Sequence, residues 1–331
     1  MNFEPATPGL SFLLVSDILP SVTIIIAVRP GQSAPQAAAS ARALDYPPDR
    51  LEILIARGNQ PSVQRNAAMR AARGEWVYFL DDDSMAQPGN LRRAVQHFRD
   101  PKVQIVGGPN LCPPDAPALE QVFALVLGSW LAFGPSRARY ASVGALRETG
   151  EKELILCNLA ARRDTMLKLG GFNEALYPNE ENALMDQIQK EGGKLLYDPE
   201  FIVHRRPRRT LKAFAKMLMT YGRGRAEQFR EYPTFGSALN FAPPLFCVYL
   251  VVLPFLGWVG LIPLAFYALA LLVQTAFLMA RGGFVRSLCA LPLMALSHLL
   301  YGIGFWTGLF TRLKPDGGRS DGPVTLETVP R

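Results

Sequence analysis

The chain is poor in the residues that build redox, zinc and disulfide sites. It has four cysteines and three histidines in 331 residues. Cys112, Cys157, Cys247 and Cys289 lie far apart, with no CxxC and no Cys/His set, which excludes a disulfide framework and a zinc site. Between the first β-prone run and the first helix there is no GxGxxG and no GxxxxGK(S/T), which sets aside a dinucleotide oxidoreductase and a P-loop NTPase. No zinc-finger spacing or RRM-like aromatic motif accompanies the net charge of +7, so nucleic acid is not an expected partner. A phosphorylated substrate or an anionic lipid suits that charge instead. A signal peptide is also missing, since Phe12–Val15 is followed by Asp17 and no basic segment precedes it. Residues 1–20 read as a loose leader, and the working part of the chain as cytoplasmic.

What is present begins with alternating β- and α-prone segments. Val22–Val28 is a β-branched run suited to a buried strand. Ala34–Leu44 predicts a helix, Tyr46-Pro47-Pro48 a turn, and Leu51–Ala56 a second strand. Ser62 is the expected N-cap of a helix over Val63–Arg73, which Gly74 ends, and Trp76–Leu80 is a third strand. This order predicts an α/β fold with right-handed crossovers and a mostly parallel sheet. Further on, Asn90–Phe98 predicts a helix and Val103–Gly108 a strand. Leu119–Phe133 is an apolar helix too short to span a bilayer. Leu154–Asp164 reads as a strand leading into a helix, Leu184 and Ile188 mark another helix, and Lys194–Tyr197 and Phe201–Val203 are short strands.

After His204 the character changes. From Arg205 to Arg230 there are nine basic residues and one acid, Glu227, while Leu211, Phe214, Leu218 and Tyr221 recur at helical spacing. Residues 205–240 therefore read as a basic amphipathic juxtamembrane helix drawn to membrane lipids, with a solvated basic surface helix as the alternative. Residues 243–280 hold no charge, room for two spans of roughly 20 residues each. Ser287–Phe310 is a third apolar stretch, which contains His298. Two or three transmembrane helices are expected within 241–310, and a disordered tail over 311–331. The Arg281–Arg286 loop and the basic N-terminal domain both favour the cytoplasmic side of an inner or plasma membrane. If Ser287–Phe310 spans, the tail lies outside despite Arg312 and Lys314, so a re-entrant or interfacial course for 287–310 stays open.

The chemistry gathers at Trp76–Ser84, WVYFLDDDS. A buried strand cannot keep three adjacent charges inside without partners, so Asp81-Asp82-Asp83 falls just past its carboxyl end, where open α/β sheets bind ligands. Clustered carboxylates suit Mg²⁺ or Mn²⁺, which takes one or two of them plus substrate phosphates. The plain alternative is an acidic strand-to-loop turn. A second acidic pair, Glu180-Glu181, opens a helix, and His204 ends a late strand. A cation, a separate carboxylate to take a hydroxyl proton, and a His or Arg are what a transfer with a phosphate leaving group needs.

The succession VTIIIAVRP, RNAAMRAARGEWVYFLDDDS, NLAARRDTMLKLGGFNE, an acidic pair before a helix, and YDPEFIVH resembles glycosyltransferase family 2 of the GT-A fold over Ser21 to Arg225. The apolar C-terminus resembles the polysaccharide-assembly branch of the succinoglycan glucosyltransferase type. The resemblance implies a Rossmann-like GT-A catalytic domain over 21–204 and a nucleotide-diphosphate sugar donor. It also implies transfer of one sugar to a lipid-linked or membrane-proximal acceptor. Asp83, Asp81 and His204 would hold the Mg²⁺ or Mn²⁺. Arg29, Gly58, Arg65, Asn66, Asp81, Asp82 and Asn158 would bind the nucleotide sugar, and Glu181, beside Glu180, would be the base. The chain departs from the pattern at three places: Glu180-Glu181 stands for an ED pair, Arg57-Gly58-Asn59-Gln60 replaces an acidic base-reading patch, and QxxRW is absent. The last favours single addition over polymerisation. One base and no evident nucleophile imply inversion. A catalytically inactive membrane-anchored scaffold of a glycan-assembly complex is the alternative. A small channel or transporter fits less well, since the apolar stretches carry no embedded acid.

Overall fold

The computed structural model describes residues 19–175, 179–231, 233, 235–311 and 323–330. The leader lies almost wholly outside the described residues. The elements run β1 (Val22–Val28), α1 (Pro35–Arg42), β2 (Leu51–Arg57), α2 (Pro61–Ala71), β3 (Trp76–Asp81), β4 (Met85–Ala86), α3 (Asn90–His97), β5 (Val103–Gly107) and β6 (Asn110–Leu111). They continue through α4 (Ala118–Leu127), α5 (Trp130–Phe133), β7 (Arg147–Thr149), β8 (Asn158–Arg162), α6 (Arg163–Lys168), α7 (Glu180–Lys190), β9 (Lys194–Tyr197) and β10 (Val203–His204). Then follow α8 (Leu211–Glu231), α9 (Ala242–Val252), α10 (Leu261–Gly282), α11 (Phe284–Phe310) and β11 (Thr325–Thr328).

The large sheet has the order β11-β2-β1-β3-β8-β5-β9-β7, and β4-β10-β6 form a small one. Its β2-β1-β3 part is parallel, as the apolar runs predict. The rest is mixed, because β8 enters antiparallel to both β3 and β5. Both faces are covered: Ile24 and Ile26 pack on one side and Ile25 on the other, all fully buried. Helix α2 starts at Pro61, whose missing N–H suits a first helical position. Its cap is Gln60, and Ser62 is buried within the first turn rather than capping it.

Two expectations about the C-terminal half change. The basic segment does not present its apolar stripe to lipid. Helix α8 buries Phe214, Met217 and Leu218 against α4, α10 and α11, with Phe123 and Phe214 stacked at 4.2 Å. Gly222, Gly304 and Gly308 let α8 and α11 touch backbone to backbone, since a Cβ on Gly222 would collide with the Tyr301 carbonyl oxygen. The tail departs further. Residues 312–322 lie outside the described residues, but β11 pairs antiparallel with β2, Thr325 opposite Arg57 and Thr328 opposite Leu54. The composition of the tail hid an alternating pattern: Val324 and Leu326 pack on one sheet face and Val329 on the other.

Among the described residues three stretches are long and apolar enough to cross a membrane: Ala238–Phe255, Trp258–Gly282 and Phe284–Phe310. Phe255 and Phe277 expose 85% and 72% of their surface there, which suits hydrocarbon and not water. His298 is committed to structure, with Nδ1 2.7 Å from the Tyr267 hydroxyl and Nε2 2.9 Å from the Leu131 carbonyl.

Candidate active site

Strand register sets the site. Ala27 pairs with Asp81 and Val28 with Arg57, so Arg29, Gly58 and the aspartates share the carboxyl edge of β1, β2 and β3. Asp81 closes β3, and the chain turns there. The Ser84 N–H donates to the Asp81 carbonyl (3.1 Å), and the Asp81 N–H donates to Ser84 Oγ (3.2 Å).

Arg65 joins the two acidic clusters. From α2 its Nη2 reaches Asp81 Oδ1 at 2.9 Å and its Nη1 reaches Glu180 Oε1 at 3.4 Å. Arg65 Nε and Glu180 Oε2 are buried without a hydrogen-bond partner among the described residues. Burial, then the neighbouring Glu181, pushes the Glu180 carboxyl up to about 8 against the pull of Arg65. Glu181, on the same helical turn, is only half-buried. Asn179, just before this pair, has φ 101°, a left-handed conformation that asparagine tolerates.

Arg205 closes the other side of the triplet. Its Nη1 lies 3.0 Å from Asp81 Oδ2 and its Nε 2.5 Å from Asp83 Oδ1. Burial would raise the Asp81 carboxyl, but Arg205 and Arg65 outweigh it and hold it below the ordinary range. Burial, then Asp83 and Asp81, pushes Asp82 up. Two carboxylates thus converge on one positive charge, a donor set that fits a hard cation shared with substrate phosphates. Among the described residues no three His, Cys, Asp or Glu side chains are grouped to hold a metal ion. Neighbouring residues on an extended segment point to opposite faces, and Arg205 is the one that meets the aspartates. Its basic character alone had placed it with the lipid-facing run.

The two asparagines expected to touch the donor are structural. Asn66 Nδ2 donates to the Phe172 carbonyl (2.8 Å) and Glu174 Oε1 (2.9 Å), and its Oδ1 accepts from the Phe172 N–H (2.9 Å). Asn158 is fully buried; its Oδ1 accepts from the Tyr78 hydroxyl (2.8 Å) and its Nδ2 donates to the Pro109 and Phe201 carbonyls. Both amides spend their hydrogen bonds pinning loops to the sheet. Arg29 is exposed, and Gly58 is buried with its N–H donating to Val28 O (3.1 Å).

A cavity of about 410 Å³ opens beside Asp83, between the Arg205–Thr210 segment, α4 and α8. Arg206, Arg208 and Arg209 line it together with Leu127, Ala213 and Met217. Arg206 is held by the buried Glu120, while Arg208 and Arg209 make no ion pair among the described residues. Below the site, Arg225 of α8 grips the buried Glu151 with two nitrogens at 3.0 and 3.1 Å. Arg139 donates to the Glu151 carbonyl and to Asn182 Oδ1, each at 2.6 Å, and Asn182 Nδ2 donates to Asn179 Oδ1 at 2.8 Å. The hydrogen bonds therefore run from α8 to the start of α7. No sequence motif marks Glu151 or Arg225.

The fold resembles that of a mannosyltransferase from Pyrobaculum calidifontis, PcManGT, solved in complex with GDP-Man and Mn²⁺: TM-score 0.52, 18% identity, covering 88% of this chain and 87% of that one. A pre-mycofactocin glycosyltransferase of Mycobacterium tuberculosis is 27% identical over 188 residues, 52% of this chain and 36% of the relative. The succinoglycan biosynthesis protein ExoA of Rhizobium meliloti is 25% identical over 196 residues, 57% of this chain and 56% of that protein. The chain thus spans about a third to just over half the length of these curated relatives. The family described as "Glycosyltransferase like family 2" matches residues 10–220, most of the chain, and the chain belongs to that family.

Proposed function

We propose that this glycosyltransferase moves one sugar, with inversion, from a nucleotide-diphosphate sugar to a hydroxyl of a lipid-linked acceptor at the inner or plasma membrane, with its catalytic domain cytoplasmic. The observation that carries this reading is the bridge of Arg65 between Asp81 and Glu180, which joins a carboxylate cluster suited to a cation to one suited to proton transfer. Asp81 and Asp83 would hold Mg²⁺ or Mn²⁺, in the place Arg205 now neutralises. That cation would take up charge on the departing diphosphate. Arg29, Gly58 and Arg65 lie along the sheet edge where the donor would bind. Burial and the neighbouring Glu181 favour the protonated form of Glu180, which lessens repulsion beside Asp81. Glu181 takes the acceptor proton while the acceptor oxygen bonds to the anomeric carbon and the nucleoside diphosphate leaves. The cavity beside Asp83 supports the acceptor class, since its arginines suit a phosphate and Leu127, Ala213 and Met217 suit an apolar chain.

Detergent-solubilised protein, offered common nucleotide sugars with Mn²⁺ and a membrane lipid extract, tests this. One donor should be consumed, and EDTA, Asp83→Ala and Glu181→Gln should each lower turnover by about 10²-fold or more. Full turnover by Asp83→Ala and Glu181→Gln would refute the assignment, and a folded protein that consumes no donor would favour the scaffold.

A further inference from the structure

Strand β11 reaches past the sheet edge to the loop that follows β2. Thr325 sits opposite Arg57, the last residue of β2, and the chain arrives there over Gly58. A Cβ placed on Gly58 would lie 3.5 Å from Val324 Cγ2 and 2.9 Å from Gln64 Cγ, so Val324 and Gln64 roof that glycine. On the opposite face Glu327 takes Arg57, with Oε2 3.0 Å from Nη2 and 3.3 Å from Nε. The same guanidinium donates from Nη1 to the Gln32 carbonyl, in the loop after β1 (2.5 Å). One arginine thereby ties the tail, the end of β2 and the β1 loop together. Covering an open edge needs only a ladder and an apolar side chain such as Leu326. A carboxylate fixed on the loop's arginine and a side chain laid over its glycine go beyond cover.

We propose that residues 324–327, from the far end of the chain, form part of the donor's nucleotide subsite. They hold the Arg57–Gln60 loop in the shape that receives the nucleoside, with Glu327 as a positioning residue. The loop has no carboxylate of its own, and the tail brings one to it. This rests on the nucleotide-sugar reading above.

The test uses the full chain in detergent, with UDP and GDP, each with Mn²⁺, as calorimetric probes, and donor KM and kcat measured alongside. Glu327→Ala should raise the nucleotide Kd and the donor KM together by about two- to fivefold, with kcat unchanged. Glu327→Asp should recover most of that loss, which a general loss of stability would not allow. Leu326→Asp, which takes the strand off the edge, should weaken binding further. Wild-type Kd and donor KM in Glu327→Ala overturn the proposal, even if Leu326→Asp fails to fold. If the wild-type chain neither binds a nucleotide nor consumes a donor, the nucleotide-sugar reading falls and this proposal with it. If it does both while Glu327→Ala is silent, only this proposal falls.

Discussion

Replacing Arg225 by alanine should destabilise the protein more than any exposed charge deletion. The Arg225 and Glu151 side chains keep 11% and 10% of their exposure and meet through two contacts of 3.0 and 3.1 Å. After Arg225→Ala, the buried Glu151 carboxylate keeps Arg139, at 3.7 Å, and the more distant charge of Lys152. Breaking a buried pair from one side costs about 3–5 kcal/mol, and the residual Arg139 contact places this case near 3. At about 2–4 °C per kcal/mol for a protein of this size, the melting temperature should fall by about 6–12 °C. The pH dependence supplies a second readout. Burial would raise the Glu151 carboxyl, but Arg225 and then Arg139 hold it below its ordinary value of 4.5. A depressed folded pKa gives stability that is complete above that value and is lost as the pH falls through the folded one. The difference between wild type and Arg225→Ala should therefore be full at pH 7 and shrink in acid. The double change Glu151→Gln with Arg225→Met should regain much of the loss, because it removes the unpaired carboxylate while Arg139 keeps its hydrogen bonds to the Lys152 and Glu151 carbonyls and to Asn182. Thermal unfolding in detergent at pH 7 and pH 4 measures all of this. A drop below about 3 °C, or a double variant no better than the single one, would refute the argument.

Two further substitutions test the packing that supports the site. Asn158→Ala leaves the Tyr78 hydroxyl and two carbonyls short of a partner and should cost about 1–3 kcal/mol, read as a lower melting temperature with donor KM unchanged; a raised donor KM at unchanged stability would return Asn158 to the donor. Gly222→Val should part α8 from α11 and lower both the yield and the melting temperature of solubilised protein, and wild-type stability would show that the close approach is dispensable.

The sequence disclosed the β1, β2 and β3 strands well because each is an apolar run ended by a change of character: Arg29-Pro30-Gly31, Gly58, and the aspartates. A strand buried on both faces has little freedom to be anything else. The acidic clusters were equally legible, since buried charge must lie at an element's end. What joins them was not. Arg65 could be read as a ligand contact, but its bridging of Asp81 and Glu180 depends on the crossover that sets α2 beside α7. Asn66 and Asn158 mislead for a related reason: an amide serves a ligand or a loop equally well, and only the fold decides which carbonyls lie near it. Arg205 and Arg225 were lost in an average, because a run of like charges reads as one surface while side chains leave it in different directions.

Strand β11 also constrains how the chain meets the bilayer. The three long apolar helical stretches all lie between β10 and β11. Both strands are hydrogen-bonded into the catalytic domain, β10 to β4 and β6, and β11 to β2. An open ladder cannot form through hydrocarbon, so the chain returns to the face of the membrane that it left. Only an even number of passages achieves that. The bent α4–α5 pair cannot supply a fourth, because β5 before it and β7 after it are joined through β9 in one sheet. Parity is thus a constraint on any bilayer arrangement of the three helices: an odd number of crossings would part β10 from β11. Among them Phe284–Phe310 is the most covered, 33% buried against 6% and 17%.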